Sequence, residues 1–239
     1  VDTGMGRCGL LENQVLPFFE QMQAFSQIEI EGIYTHFSSA DDEDRSYTEK
    51  QIALFEKEVK QLQERGFSFR WIHAQASGGI MGYDVSICNL VRPGIILYGY
   101  APAEFLKNGW NLRPATRLIS HIVFQKEVPK GTSISYGRTY TTSQTRKIAT
   151  IPLGYADGIR RILSNRGTVK IKGKEVPMIG NICMDNFMVD VSEIDDVKVG
   201  EQVILWEGNE IETIAEKCQT IPYEILCGIS KRVERKYLD

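Results

Sequence analysis

The chain has 239 residues, 42% hydrophobic and 25% charged, enough for a core without disulfide or metal staples and too mixed for a disordered tail or coiled-coil rod. Lys plus Arg number 28 against 31 Asp plus Glu, and the net charge of −3 leaves no electrostatic footprint for nucleic acid or an anionic membrane. No apolar run approaches the roughly 18 residues of a membrane span and nothing at the amino end resembles a signal peptide. The five scattered cysteines fit neither a disulfide framework nor a C-x-x-C metal knuckle, so a reducing cytoplasm is expected.

Val1-Asp2-Thr3-Gly4 opens the chain strand-like and without an initiator Met, as if cut from something longer. Ile28 to Phe37 reads as a buried strand running into the acidic loop of residues 41–44. Ser46-Tyr47-Thr48-Glu49 has the form of a capping box, and apolar Ile52, Phe55, Val59 and Leu62 at helical spacing before Gly66 predict a helix. A second strand is expected around Phe69 to His73, ahead of Ser77-Gly78-Gly79, and a third apolar stretch surrounds Arg92 to Leu97. Such alternation favours parallel βαβ architecture. After about Asn111 short β-rich runs take over: Leu118–Val128, Lys147–Leu153, Thr168–Lys172, Phe187–Val191 and Glu201–Leu205, with a hairpin turn at Lys172-Gly173-Lys174 and a helix only at Ile211–Gln219. A domain boundary is placed near Arg113, giving residues 1–112 and 113–239. The first part supplies about four strand units, whereas a closed βα barrel needs eight.

Polar residues fall at the ends of the first-half strands: Asp2 with Arg7, His36, Ser77 with its two glycines, and Arg92 with Gly94. Ser77-Gly78-Gly79 and Gly94-Ile95 suit a phosphate cradle of backbone N–H groups and a hydroxyl. Each also has a plainer reading. Ser77 can sit in an ordinary turn, His36 can be a satisfied core histidine, and Arg92 can belong to a structural ion pair. In the second half Tyr136, Tyr155 and Asp185 stand out in tight turns of polar and aromatic residues, where half-buried strand tyrosines and an Asx turn are the alternatives.

Taken together, VDTGMGR (Val1–Arg7), THFSSAD (Thr35–Asp41), RPGIILYG (Arg92–Gly99), ISYGRTY (Ile134–Tyr140), IPLGYADG (Ile151–Gly158), GNICMDN (Gly180–Asn186) and RVERKY (Arg232–Tyr237) resemble bacterial alanine racemases, in that family's order and over essentially the whole chain. The resemblance implies an isomerase dependent on pyridoxal 5'-phosphate, with a (β/α)8 (TIM) barrel, of which residues 1–112 would be the carboxyl-terminal half, followed by a mainly β-stranded domain. It implies a homodimer whose active sites are shared between chains, a small amino acid as substrate, and D-alanine production for peptidoglycan. The family's Schiff-base lysine, and the lysine that can be carbamylated, would lie upstream of Val1, so the isolated piece is expected to be inactive.

Carried over residue by residue, the resemblance makes Tyr136 one catalytic base, with His36 hydrogen-bonded to it and oriented by Arg92. Arg92 would face the pyridine nitrogen. Ser77, Gly94 and Ile95 would bind the phosphate, and Lys231 stands where several relatives have a tyrosine reaching it. Arg7 and the Met184 backbone N–H would hold the substrate carboxylate, with Tyr155 and Asp185 lining the approach. Ala76 replaces the usual asparagine before the phosphate serine. A serine racemase on the same scaffold is the alternative enzyme, and a non-catalytic interaction module with a vestigial cofactor site is the alternative outside enzymes.

Overall fold

A computed structural model describes residues 1–101, Phe105 and 109–238 and divides into two compact units, Val1–Arg113 and Pro114–Asp239. In the first unit, helix α1 (Glu12–Met22) and helix α2 (Ser46–Glu64) pack with two short parallel strands, β1 (Gly32–Tyr34) and β2 (Trp71–His73), around Val15, Phe19, Ile33, Phe37, Phe55, Val59, Leu62 and Ile72. Pattern reading passes over α1, because Pro17 interrupts its run. Pro17, at the sixth helical position, can donate no bond to Asn13 O, and the helix start is held by the Leu11 N–H, which donates to Gln14 Oε1 at 3.0 Å. Two surface ion pairs, Lys57 with Glu12 and Arg65 with Glu20, tie α2 to α1; both are solvent-exposed and contribute little beside the apolar face.

Several boundaries differ from expectation. The strand expected over Ile28–Phe37 shrinks to three residues, so His36 lies beyond its end rather than within it. Ser46 does not cap α2; its N–H is instead accepted by Asp44 Oδ1 at 2.9 Å, which gives the acidic loop a structural role. Gly66 does stop the helix, with φ of 87°. The stretch around Arg92–Leu97 is not a strand: residues 95–98 form a 3-10 turn. Before it the chain runs alongside β2 through Asn89 N–H to Ile72 O and Arg92 N–H to Gln75 O, both at 2.9 Å. Val1–Thr3 is not in a strand either.

The second unit is a seven-stranded antiparallel sheet in the order β3-β11-β8-β9-β10-β7-β4, with strands at Arg117–His121 (β3), Phe124–Val128 (β4), Arg146–Ile151 (β7), Thr168–Ile171 (β8), Lys174–Ile179 (β9), Phe187–Asp190 (β10) and Gln202–Glu207 (β11). A separate small hairpin pairs β5 (Ser133–Ile134) with β6 (Tyr140–Thr141). The run expected over Leu118–Val128 is two strands, and they stand at opposite ends of the order. Only Ile122 and Val123 join them; Ile122 bonds to Glu201 beside β11, Val123 to Thr150 in β7. Six strand spacings of a flat sheet are about 29 Å, which two linking residues cannot span. The sheet therefore curls until its edges meet. Lys172 and Gly173, both at positive φ, form the expected two-residue hairpin between β8 and β9. Helices α4 (Glu210–Lys217) and α5 (Pro222–Gly228) complete the unit; α5 was not foreseen.

Candidate active site

Parallel pairing puts the carboxyl ends of β1 and β2 side by side, and the polar residues of the first unit collect there. Tyr34 and His73 are register partners, and their rings stack at 5.1 Å with planes 6° apart. Arg92 lies across both strand ends. Its Nη1 contacts His73 Nδ1, while Nη2 contacts His36 Nδ1 at 3.1 Å and donates to the carbonyls of Thr35 at 3.0 Å and Ala74 at 2.9 Å. The guanidinium has donors only, so an imidazole bonded to it accepts through Nδ1, and the two hydrogens of Nη2 are shared among His36 and the two carbonyls. Burial and then the Arg92 charge hold His36 and His73 below the usual histidine range. Arg92 thus pairs with imidazoles and carbonyls in place of the carboxylate that the ion-pair reading required.

Behind this cluster, Gln51 on α2 is fully buried. Its side chain donates to the His36 carbonyl and accepts the Ser38 N–H, fixing the loop that follows β1. Ser77 opens helix α3 (Ser77–Gly82); its Oγ, in a residue 4% exposed, accepts the Gly94 N–H at 3.0 Å. The second N–H at this oxygen is that of Ile96, at 3.5 Å, and not that of Ile95. Arg7 is exposed on the segment after Asp2.

In the second unit three loops meet. Tyr136, 74% exposed, sits in the tight turn between β5 and β6, flanked by Ser135 at φ 64°, ψ −177° and by Gly137 and Arg138, both at positive φ. An extended ψ at positive φ is close to glycine-only territory and costs a serine roughly 1–3 kcal/mol. The turn is held by the 180–184 loop: Ser135 Oγ donates to Asn181 O at 2.5 Å, and Asn181 Nδ2 donates to Tyr136 O at 2.7 Å. That loop also meets the turn carrying Tyr155, through Tyr155 N–H to Cys183 O at 3.0 Å and Ala156 N–H to Met184 O at 2.9 Å. Met184 and Asp185 are exposed, and Asp185 Oδ1 accepts from its neighbour Asn186 at 2.7 Å. Lys231 is exposed beside Arg232, which pairs with the buried Asp157 at 3.4 Å. Neither tyrosine is the half-buried strand aromatic of the plainer reading.

The alanine racemase N-terminal domain family matches residues 1–102, and the alanine racemase C-terminal domain family matches residues 115–237. The chain belongs to the alanine racemase family. The alanine racemase 2 of Caldanaerobacter subterraneus subsp. tengcongensis is 44% identical over the whole chain, and the alanine racemase of Halothermothrix orenii 46% over 99% of it. The chain spans 63% and 64% of those two proteins. The solved structure of a Bartonella henselae alanine racemase with covalently bound pyridoxal phosphate superposes with a TM-score of 0.87 at 32% identity, covering this whole chain and 65% of that one.

In this family member two residues of the cluster escaped pattern reading. His73 looked like the last residue of a strand, and its only signal was being one of three histidines in the chain. Gln51 was hidden in the apolar stripe of a helix; a polar residue at a core position of α2 was the available sign.

Proposed function

We propose that these residues serve a pyridoxal-phosphate-dependent racemase that interconverts L- and D-alanine, supplying D-alanine for peptidoglycan in the cytoplasm. In this reading the first unit is the carboxyl-terminal half of a (β/α)8 barrel. The observation that carries it is Arg92, pinned by two imidazoles and two carbonyls at the strand ends, beside a serine hydroxyl that already gathers the Gly94 N–H.

The donor set fits the cofactor. An always-charged guanidinium suits a ring nitrogen kept as an unprotonated acceptor, and the Ser77 hydroxyl with the Gly94 and Ile95 loop suits a phosphate, with Lys231 as an added cation. When bound, pyridoxal phosphate delocalises the electron pair left as the Cα proton departs. Tyr136 holds or moves a proton on one face of that carbon. A tyrosine does so near neutral pH only with a hydrogen bond or positive charge beside it, the role assigned to His36 and, through it, Arg92. Arg7 and the Met184 N–H hold the substrate carboxylate, while Tyr155 and Asp185 line the approach. Each site of a homodimer combines one chain's Arg92 cluster with the partner's Tyr136.

No observation favours serine or a vestigial site over alanine. The test takes the full-length protein, these residues with any that flank them, supplied with pyridoxal phosphate and offered L-alanine or L-serine in deuterated water. D-alanine with deuterium at Cα is expected, several-fold faster than D-serine, and the 239 residues alone are expected to give neither. Absence of alanine turnover overturns the proposal, and a preference for serine replaces the substrate.

A further inference from the structure

Tyr136 projects from a turn in which Ser135, Gly137 and Arg138 all have positive φ, at 64°, 70° and 50°. Two of the three are not glycine, so the turn does not owe its shape to its own backbone preferences. Outside contacts must impose it. The contacts on Ser135 and Tyr136 come from one short segment. Asn181 accepts the Ser135 hydroxyl on its carbonyl and donates its side-chain amide to the Tyr136 carbonyl. Gly180, itself at φ 73°, leaves no room for a side chain: a Cβ there would stand 2.8 Å from Ile134 O. Asn165 ties the same two loops from the other side, donating to Thr139 Oγ1 at 3.0 Å and accepting the Gly180 N–H at 2.6 Å.

We infer that Asn181 is a positioning residue for Tyr136: its side-chain amide, clamped on the Tyr136 carbonyl, sets the direction in which the exposed phenol leaves the strained turn. The same loop carries Met184, so the group that takes the proton and the N–H that holds the carboxylate are indexed to one another through residues 181–184. This inference rests on the racemase reading above. Loss of the amide frees the Tyr136 peptide to relax towards ordinary φ and ψ, and displacement of a catalytic atom by about 1 Å costs on the order of a hundredfold in rate.

The experiment compares Asn181→Asp, which keeps the size and removes the donor, with wild type and Tyr136→Phe in the full-length protein with its cofactor. Deuterium wash-in at Cα is followed separately from L- and D-alanine. Whichever enantiomer loses exchange in Tyr136→Phe should lose it about ten- to a hundredfold in Asn181→Asp, with exchange of the other enantiomer and KM within about threefold of wild type. Equal loss from both enantiomers, or no loss, overturns the inference. Should Asn181→Asp fail to fold, Asn181→Ala makes the same comparison without adding a charge; failure of both to fold also overturns it, since the amide would then hold the fold and not the phenol. A wild-type protein that exchanges neither enantiomer condemns the racemase reading instead.

Discussion

Arg92 contacts two imidazoles at once, and that fixes how they titrate. His36 and His73 are held below the ordinary value of 6.5 by burial and by the Arg92 charge, so the folded protein binds their protons less readily than the unfolded chain. Their contribution to stability is present above about pH 6.5 and is lost as the pH falls through their folded values. Arg92→Leu removes the Arg92 charge and leaves burial and, for His36, the Arg7 charge, so both histidines should titrate at higher pH in a proton NMR titration. Unmoved histidines would mean that the contacts to Arg92 carry no electrostatic weight. His36 and Arg92 were legible as candidates because polar residues at strand ends of a βα pattern stand out against apolar neighbours. His73 and Gln51 were not, since a histidine closing a strand and a glutamine within a helix's apolar stripe look the same whether or not a side chain from elsewhere meets them.

Among the elements, those whose signals are local were read well and those that depend on tertiary pairing were not. The Lys172-Gly173 hairpin declared itself through a glycine where φ must be positive, and α2 through its apolar spacing. The strand at 28–37 was overread because its alternating β-branched residues run on past the three that pair, with Ile28 and Glu29 exposed, and the apolar stretch around Arg92–Leu97 turns out to carry a 3-10 turn. Gly173→Ala tests the local kind. At φ 75°, with nothing within 4 Å of the added methyl, it should cost only the backbone term, about 1–2 kcal/mol in urea unfolding followed by circular dichroism. Gly180→Ala adds a collision with the Ile134 carbonyl to a similar φ and should cost at least twice as much. Equal costs would show that the 180–184 loop yields where the geometry has it rigid.

For the whole molecule, the two units manage strand edges differently. Among the described residues the first has one pair of three-residue strands, with no ladder on either outer side, whereas the second pairs seven strands in one sheet whose end strands, β3 and β4, are joined through Ile122 and Val123. Residues 114–239 expressed alone should therefore unfold cooperatively as a monomer, and residues 1–113 alone should self-associate; sedimentation and urea titration of the two pieces read this, and the reverse result would refute it. The closure has a consequence in time as well. β8 and β9 meet across two residues, but β3 and β11 join Arg117 to Glu207, so nearly the whole unit must be in place before that last seam can form. During refolding of residues 114–239, pulse-labelled amides should become protected first around Val169 and Val176 and last around Leu118 and Trp206, and for that interval the facing sides of β3 and β11 stand unpaired and open to another chain.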